Sequence, residues 1–131
     1  MERPLISPAE VVRYLYLRFA SAHQEVLGAL FLNQSNRLLG ETAIGRGTID
    51  RISVEPRQTI AEALRRGATG IVLFHNHPSG DPSPSAEDFD FTRRVTHAAA
   101  LFEIRIVDHL VIGSKSRFVS LLDRRPDVFR T

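Results

Sequence analysis

Val11, Val12, Leu15 and Phe19 recur at helical spacing and predict an amphipathic helix that ends near residue 21. Ser7 suits the cap of that helix, Pro8 its first position, and Glu10 the reciprocal contact of a capping box. Two short apolar segments follow, "EVLGALFLN" from Glu25 and "RLLGETAI" from Arg37, separated by Gln34-Ser35-Asn36, the pattern of two strands joined by a tight turn. Gly45-Arg46-Gly47 reads as an interruption where glycine permits a positive φ, and "TIDRISV" beyond it as a third, weaker strand. "PRQTIAEALRRGATG" has helical spacing and is stopped by Gly67, with Arg65 and Arg66 in its last turn.

"GIVLFHNH" is apolar on both faces as far as Phe74, which predicts a central strand covered on either side. A stiff, proline-rich loop over 78–84 leads into a helix over roughly 86–102, and "EIRIVDHLVIG" reads as another buried strand. The tail "SKSRFVSLLDRR" offers at most one more short strand. This order of elements predicts an α/β fold, a mixed sheet flanked by helices, in a single domain over 1–131.

Composition narrows the chemistry. A chain of 131 residues, 43% of them hydrophobic and 24% charged, buries a core without disulfides, and no apolar run approaches the roughly 18 residues of a membrane helix. Met1-Glu2-Arg3-Pro4 leads into no apolar signal segment, so a cytoplasmic location is expected. Cysteine is absent, which removes disulfides, thiolate nucleophiles and every cysteine-based zinc site, and leaves histidine and carboxylate as the available metal ligands. Sixteen of the seventeen basic residues are arginine, which lifts the pI to 9.7 at a formal charge of only +2. Arg13, Arg18, Arg65, Arg66, Arg93, Arg94, Arg124 and Arg125 are scattered over several elements, a pattern of solvated helix faces more than of a phosphate track.

His75 and His77 stand at i and i+2 at the end of a strand, so both imidazoles face one way. The loop that follows returns the chain to Ser85-Ala86-Glu87-Asp88. His75, His77 and Asp88 would make an open zinc site with three protein ligands and one free position. The same four residues from Ser85 also read as an ordinary helix start, with Ser85 as cap and Asp88 complementing the helix dipole.

The stretch "HNHPSGDPSPSAED" is similar to the JAMM motif of the MPN or JAB metalloproteases, and its fuller wording resembles the RadC branch of that superfamily. The likeness extends to "EVLGALFLNQSNRLL", "GRGTI", "EPRQTI" and "DHLVIG". Two departures stand out: Gln58 occupies a position where RadC-like proteins more often carry glutamate, and the helix-hairpin-helix region that precedes the domain in full-length RadC is missing from the sequence.

The resemblance implies a cytidine deaminase-like sandwich and hydrolysis of a peptide or isopeptide bond in a protein or peptide substrate. It implies zinc (Zn2+) held by His75, His77 and Asp88, with Ser85 donating to the oxygen that becomes negative, and a glutamate as general base. Glu25 resembles the family's glutamate at the start of an early strand; Glu41, inside the next strand, is the alternative. Asp108-His109 reads either as a pair that orients a zinc ligand or as a core histidine with its partner, and His23 and His97 read as surface residues. The rival readings are a DNA-repair-associated or DNA-binding module, supported by the arginine excess alone, and a non-catalytic protein-interaction domain. Exposed edge strands in so small a sheet make a homodimer a reasonable expectation.

Overall fold

β4 (Gly70–Asn76) is buried along its whole length and lies between β2 (Val26–Leu32), which it meets antiparallel, and β5 (Arg105–Ile112), which it meets parallel. The computed structural model describes residues 3–4, 8–19, 25–46, 55–77, 79–115 and 117–131. β3 (Arg37–Arg46) pairs with the other side of β2, the two-residue β1 (Arg3–Pro4) pairs with β3, and β6 (Phe118–Ser120) pairs with β5. The result is a mixed, six-stranded sheet in the order β1-β3-β2-β4-β5-β6. Helices lie on both faces, so the fold is the expected α/β class.

α1 (Pro8–Phe19) covers one face, where Val11, Val12 and Leu15 meet Leu30, Leu32, Val72, Phe74, Leu110 and Ile112. α2 (Pro56–Arg65) and α3 (Ala86–Ala100) cover the other, where Ile60, Ala63, Phe91 and Val95 meet Leu27, Phe31, Ile71 and Leu73. The apolar residues of β4 thus split by parity between two cores, which explains its unbroken hydrophobicity. α2 is entered at Glu55, whose backbone N–H donates to Gln58 Oε1 at 2.6 Å. A carboxamide oxygen accepts that bond as a carboxylate would, so glutamine fits this position.

Several expectations need amendment. No break occurs at Gly45-Arg46, because both residues continue the β2–β3 ladder opposite Leu27 and Val26. Gly47, the expected strand "TIDRISV" and the proposed cap Ser7 lie outside the described residues. The tail is more ordered than expected: β6 leads into α4 (Leu121–Arg124) and a 3-10 turn over Pro126–Phe129. Asp108 organises this end by accepting from the Ser120 hydroxyl at 2.7 Å and the Leu122 N–H at 3.2 Å, while Leu121 and Val128 are buried. Among the described residues, no helix is long and apolar enough to cross a membrane.

β5 carries the irregularity that matters most for the site. Ile71 pairs with Ile106 but the next residue, Val72, pairs with Asp108, so Val107 is an extra residue that rotates the rest of the strand by one position. His109 therefore stands beside Leu73, on the α3 face, and Asp108 turns to the opposite face.

Close packing at β2 yields a direct test. A Cβ on Gly28 would lie 2.3 Å from Cζ of the buried Phe74 ring and 2.8 Å from the Thr42 carbonyl oxygen. Gly28→Ala should therefore lower unfolding stability by about 1–3 kcal/mol, the usual range for overpacking a dense core. Urea titration monitored by circular dichroism measures this; an unchanged midpoint would mean that the ring moves freely.

Candidate metal centre

The β2–β4 ladder pairs Leu27 with His75, and its continuation sets Glu25 opposite His77 on the same face. Asn76, between the two histidines, locks this register: its Oδ1 accepts from the Val26 N–H at 2.7 Å. His77, just past the strand, continues the parallel side through a 2.8 Å bond from its N–H to the Ile112 carbonyl. Glu25, His75 and His77 consequently each offer a ligand atom, and these atoms all lie within 4.8 Å of one another.

The loop after His77 is held against the β5–β6 turn. The Gly80 carbonyl accepts from Ser114 N at 3.0 Å and Arg117 Nη2 at 2.7 Å, and Gly80 itself has φ +91°. Gly113 permits this approach, since a Cβ there would fall 2.3 Å from the Gly80 oxygen. Within the loop, the Asp81 carbonyl lies 2.8 Å from His77 Nδ1. A carbonyl only accepts, so Nδ1 carries the proton and the Nε2 lone pair of His77 faces the site.

The chain re-enters the site at the start of α3, and here the capping and ligand readings coexist on one carboxylate. Asp88 Oδ2 accepts from the Ser85 N–H at 2.7 Å while Ser85 Oγ accepts from the Asp88 N–H at 3.2 Å, a complete capping box. Asp88 Oδ1 is buried and has no hydrogen-bond partner among the described residues. It lies 3.4 Å from His75 Nε2, and Oδ2 lies 4.0 Å from His77 Nε2. The two Nε2 atoms are 2.9 Å apart.

Nitrogen and oxygen ligands about 2.0–2.2 Å from one tetrahedral zinc lie roughly 3.3–3.5 Å from each other, so these separations suit a single small cation after slight adjustment. A buried carboxylate oxygen without a donor is costly, and a cation between it and two imidazole lone pairs removes the cost. The donor set of nitrogen and oxygen therefore fits zinc. Burial by itself would raise the Asp88 pKa, but the His75 ring beside Oδ1 and the Ser85 N–H on Oδ2 outweigh it and hold it down at about 2.

Ser85 is half-buried, and because its oxygen accepts in the cap, its hydroxyl proton remains to donate. Glu41 stands elsewhere: it pairs with Leu30, on the α1 face, where its Oε1 accepts from Tyr14 Oη at 2.7 Å and meets Arg18 Nε at 2.9 Å. His109 touches the site and Asp108 does not. The ring nitrogen Nε2 of His109 lies 2.8 Å from His75 Nδ1, whereas burial raises the pKa of Asp108 among the Ser120 and Leu122 donors on the other face. His97 is exposed and His23 lies outside the described residues.

Sequence reasoning missed two contributors, Asn76 and Thr92. Asn76 could have been noticed as the polar residue between two histidines at the end of an apolar strand. Thr92 carries no local signal beyond being one helical turn after Asp88.

A family model describing the RadC-like JAB domain matches residues 5–126 of the chain. The chain is 40% identical over 118 residues to a UPF0758 protein of Geotalea uraniireducens, an alignment that covers 90% of this chain and 51% of that protein. It is similarly 41% identical to a UPF0758 protein of Syntrophotalea carbinolica, over 90% of this chain and 52% of that one. A UPF0758 protein of Marinobacter nauticus is 40% identical over 92% of this chain and 54% of its own length. The chain thus spans about half the length of the curated relatives it matches.

The depressed Asp88 pKa carries a stability consequence. Its folded value of about 2 lies below the ordinary carboxylate range, so its contribution is complete above pH 4 and is lost as the pH falls through 2. From pH 5 to pH 2, the urea stability of the metal-free protein relative to Asp88→Asn should shrink by roughly 2 kcal/mol. A difference that stays constant over this range would show that the carboxylate is not held low.

Proposed function

The chain belongs to the RadC-like JAB domain family, and we propose that it is a zinc-dependent hydrolase of the JAMM type that cleaves a peptide or isopeptide bond. The observation that carries this reading is the meeting of His75, His77 and Glu25 beside a buried Asp88 oxygen that has no hydrogen-bond partner among the described residues. His75 Nε2, His77 Nε2 and one oxygen of Asp88 would hold the ion. When bound, zinc would acidify a water molecule and polarise the scissile carbonyl.

Glu25 is half-buried at the mouth of the site, within 4.8 Å of both histidine donors. From there it takes a proton from the attacking water and delivers it to the leaving amine. Ser85 donates its hydroxyl hydrogen to the carbonyl oxygen as that atom gains charge. Glu41 is occupied by Tyr14 and Arg18 on the far face of the sheet, which supports Glu25 as the base. The substrate proposed is a protein or peptide chain; an interaction with DNA would rest only on the arginine excess.

Protein purified without added metal and then supplied with zinc should hold close to one ion per chain by elemental analysis. A stoichiometry near zero after zinc is supplied would overturn the proposal. Glu25→Gln should keep the ion and lower hydrolysis of a peptide-library substrate by about 10²–10⁴-fold, whereas Glu41→Gln should leave the rate within a few fold. The reverse outcome would move the base to Glu41.

A further inference from the structure

We propose that Thr92 and His109 form a directional hydrogen-bond relay, anchored on the Asp88 backbone carbonyl, that keeps the proton of His75 on Nδ1 and its Nε2 lone pair bare. Thr92 and His109 are thus positioning residues: neither touches the ion or the substrate. The inference rests on the zinc-binding reading above for its purpose, but not for its geometry.

The direction of the relay follows from counting donors. Thr92 Oγ1 lies 2.7 Å from the Asp88 carbonyl oxygen and 2.6 Å from His109 Nδ1. The hydroxyl has one hydrogen and the carbonyl has none, so that hydrogen goes to the carbonyl. Thr92 Oγ1 must then accept from His109, which places the proton of His109 on Nδ1. His109 is completely buried, and among the described residues its ring nitrogens meet the Thr92 hydroxyl and the His75 ring; with the proton on Nδ1, its Nε2 is the acceptor. His75 Nδ1, 2.8 Å away, must donate to it. In the neutral ring the remaining lone pair is then on Nε2, the atom that faces His77 and Asp88.

The arrangement is closed on itself. The backbone carbonyl of Asp88 sets the direction of the relay, and the carboxylate of the same residue receives its result on the other side of His75. Without the extra residue Val107, His109 would turn to the α1 face and His75 Nδ1 would lose its acceptor. A neutral His75 could then carry its proton on Nε2, where it would compete with a cation.

The test uses the full chain, with imidazole protonation read from long-range ¹H–¹⁵N correlation spectra at neutral pH, metal-free and zinc-loaded. Wild-type protein should show His109 protonated on Nδ1 and bare on Nε2, with His75 protonated on Nδ1. Thr92→Val removes the acceptor, so the proton of His109 should move to Nε2 and zinc affinity, measured by competition with a chromophoric chelator, should fall about 10–100-fold. Thr92→Ser should restore the wild-type spectrum and affinity. Wild-type His109 with a bare Nδ1 would overturn the relay, as would a Thr92→Val protein with wild-type ring spectra. If the wild-type chain bound no zinc, the hydrolase reading would fail, and the metal-free spectra would still decide the relay.

Discussion

The antiparallel ladder that pairs Leu27 with His75 decides which side chains can meet at the end of β4. Strand residues alternate between faces, so one pairing sorts every neighbour at once. Glu25 shares the parity of Leu27 and reaches the histidines, while Glu41, paired with Leu30, belongs to the α1 face. A slip of one residue between β2 and β4 would put Glu25 and the two imidazoles on opposite faces of the sheet. The bond from the Val26 N–H to Asn76 Oδ1 and the apolar packing of both faces oppose such a slip.

The site places polar groups where the fold would otherwise place hydrophobic ones. His75, Asp88, Thr92 and His109 are all buried beside the core formed by β4, α2 and α3. Groups of this kind persist inside a protein when nearly every donor and acceptor is matched. Here the matching is sequential: each group donates to the next until a main-chain carbonyl ends the series, and burial holds the pKa of His109 well below its usual range. Asp88 Oδ1 is left over, and its position against His75 Nε2 gives the mismatch a chemical use.

Asp88 can cap α3 and still present a free oxygen to the site. A carboxylate has two oxygens, and a capping box occupies only one. The start of α3 thereby fixes the rotamer of Asp88, and Ser85 joins the same box through its acceptor lone pair and keeps its hydrogen. The glycines at 80 and 113 let the intervening loop pack tightly enough on the β5–β6 turn to bring α3 to this position.

Much of the fold was legible because local pattern and burial agree in it. β4 is apolar on both faces and central, and the helices at Pro56 and Ala86 begin at capping boxes with matching periodicity. Gly45-Arg46 misled because ladder pairing with β2 overrides the turn preference of glycine. The tail misled because its order comes from Asp108, a partner distant in sequence. By itself the sequence determined the α/β order, the absence of cysteine ligands, and the pair of histidines on one face of a strand followed by a capping aspartate. Only the tertiary structure decided that Glu25 meets those histidines, that Glu41 does not, and that His109 rather than Asp108 stands behind His75. These outcomes depend on strand register and on the extra residue at Val107, and register is set by contacts between strands that no local pattern encodes.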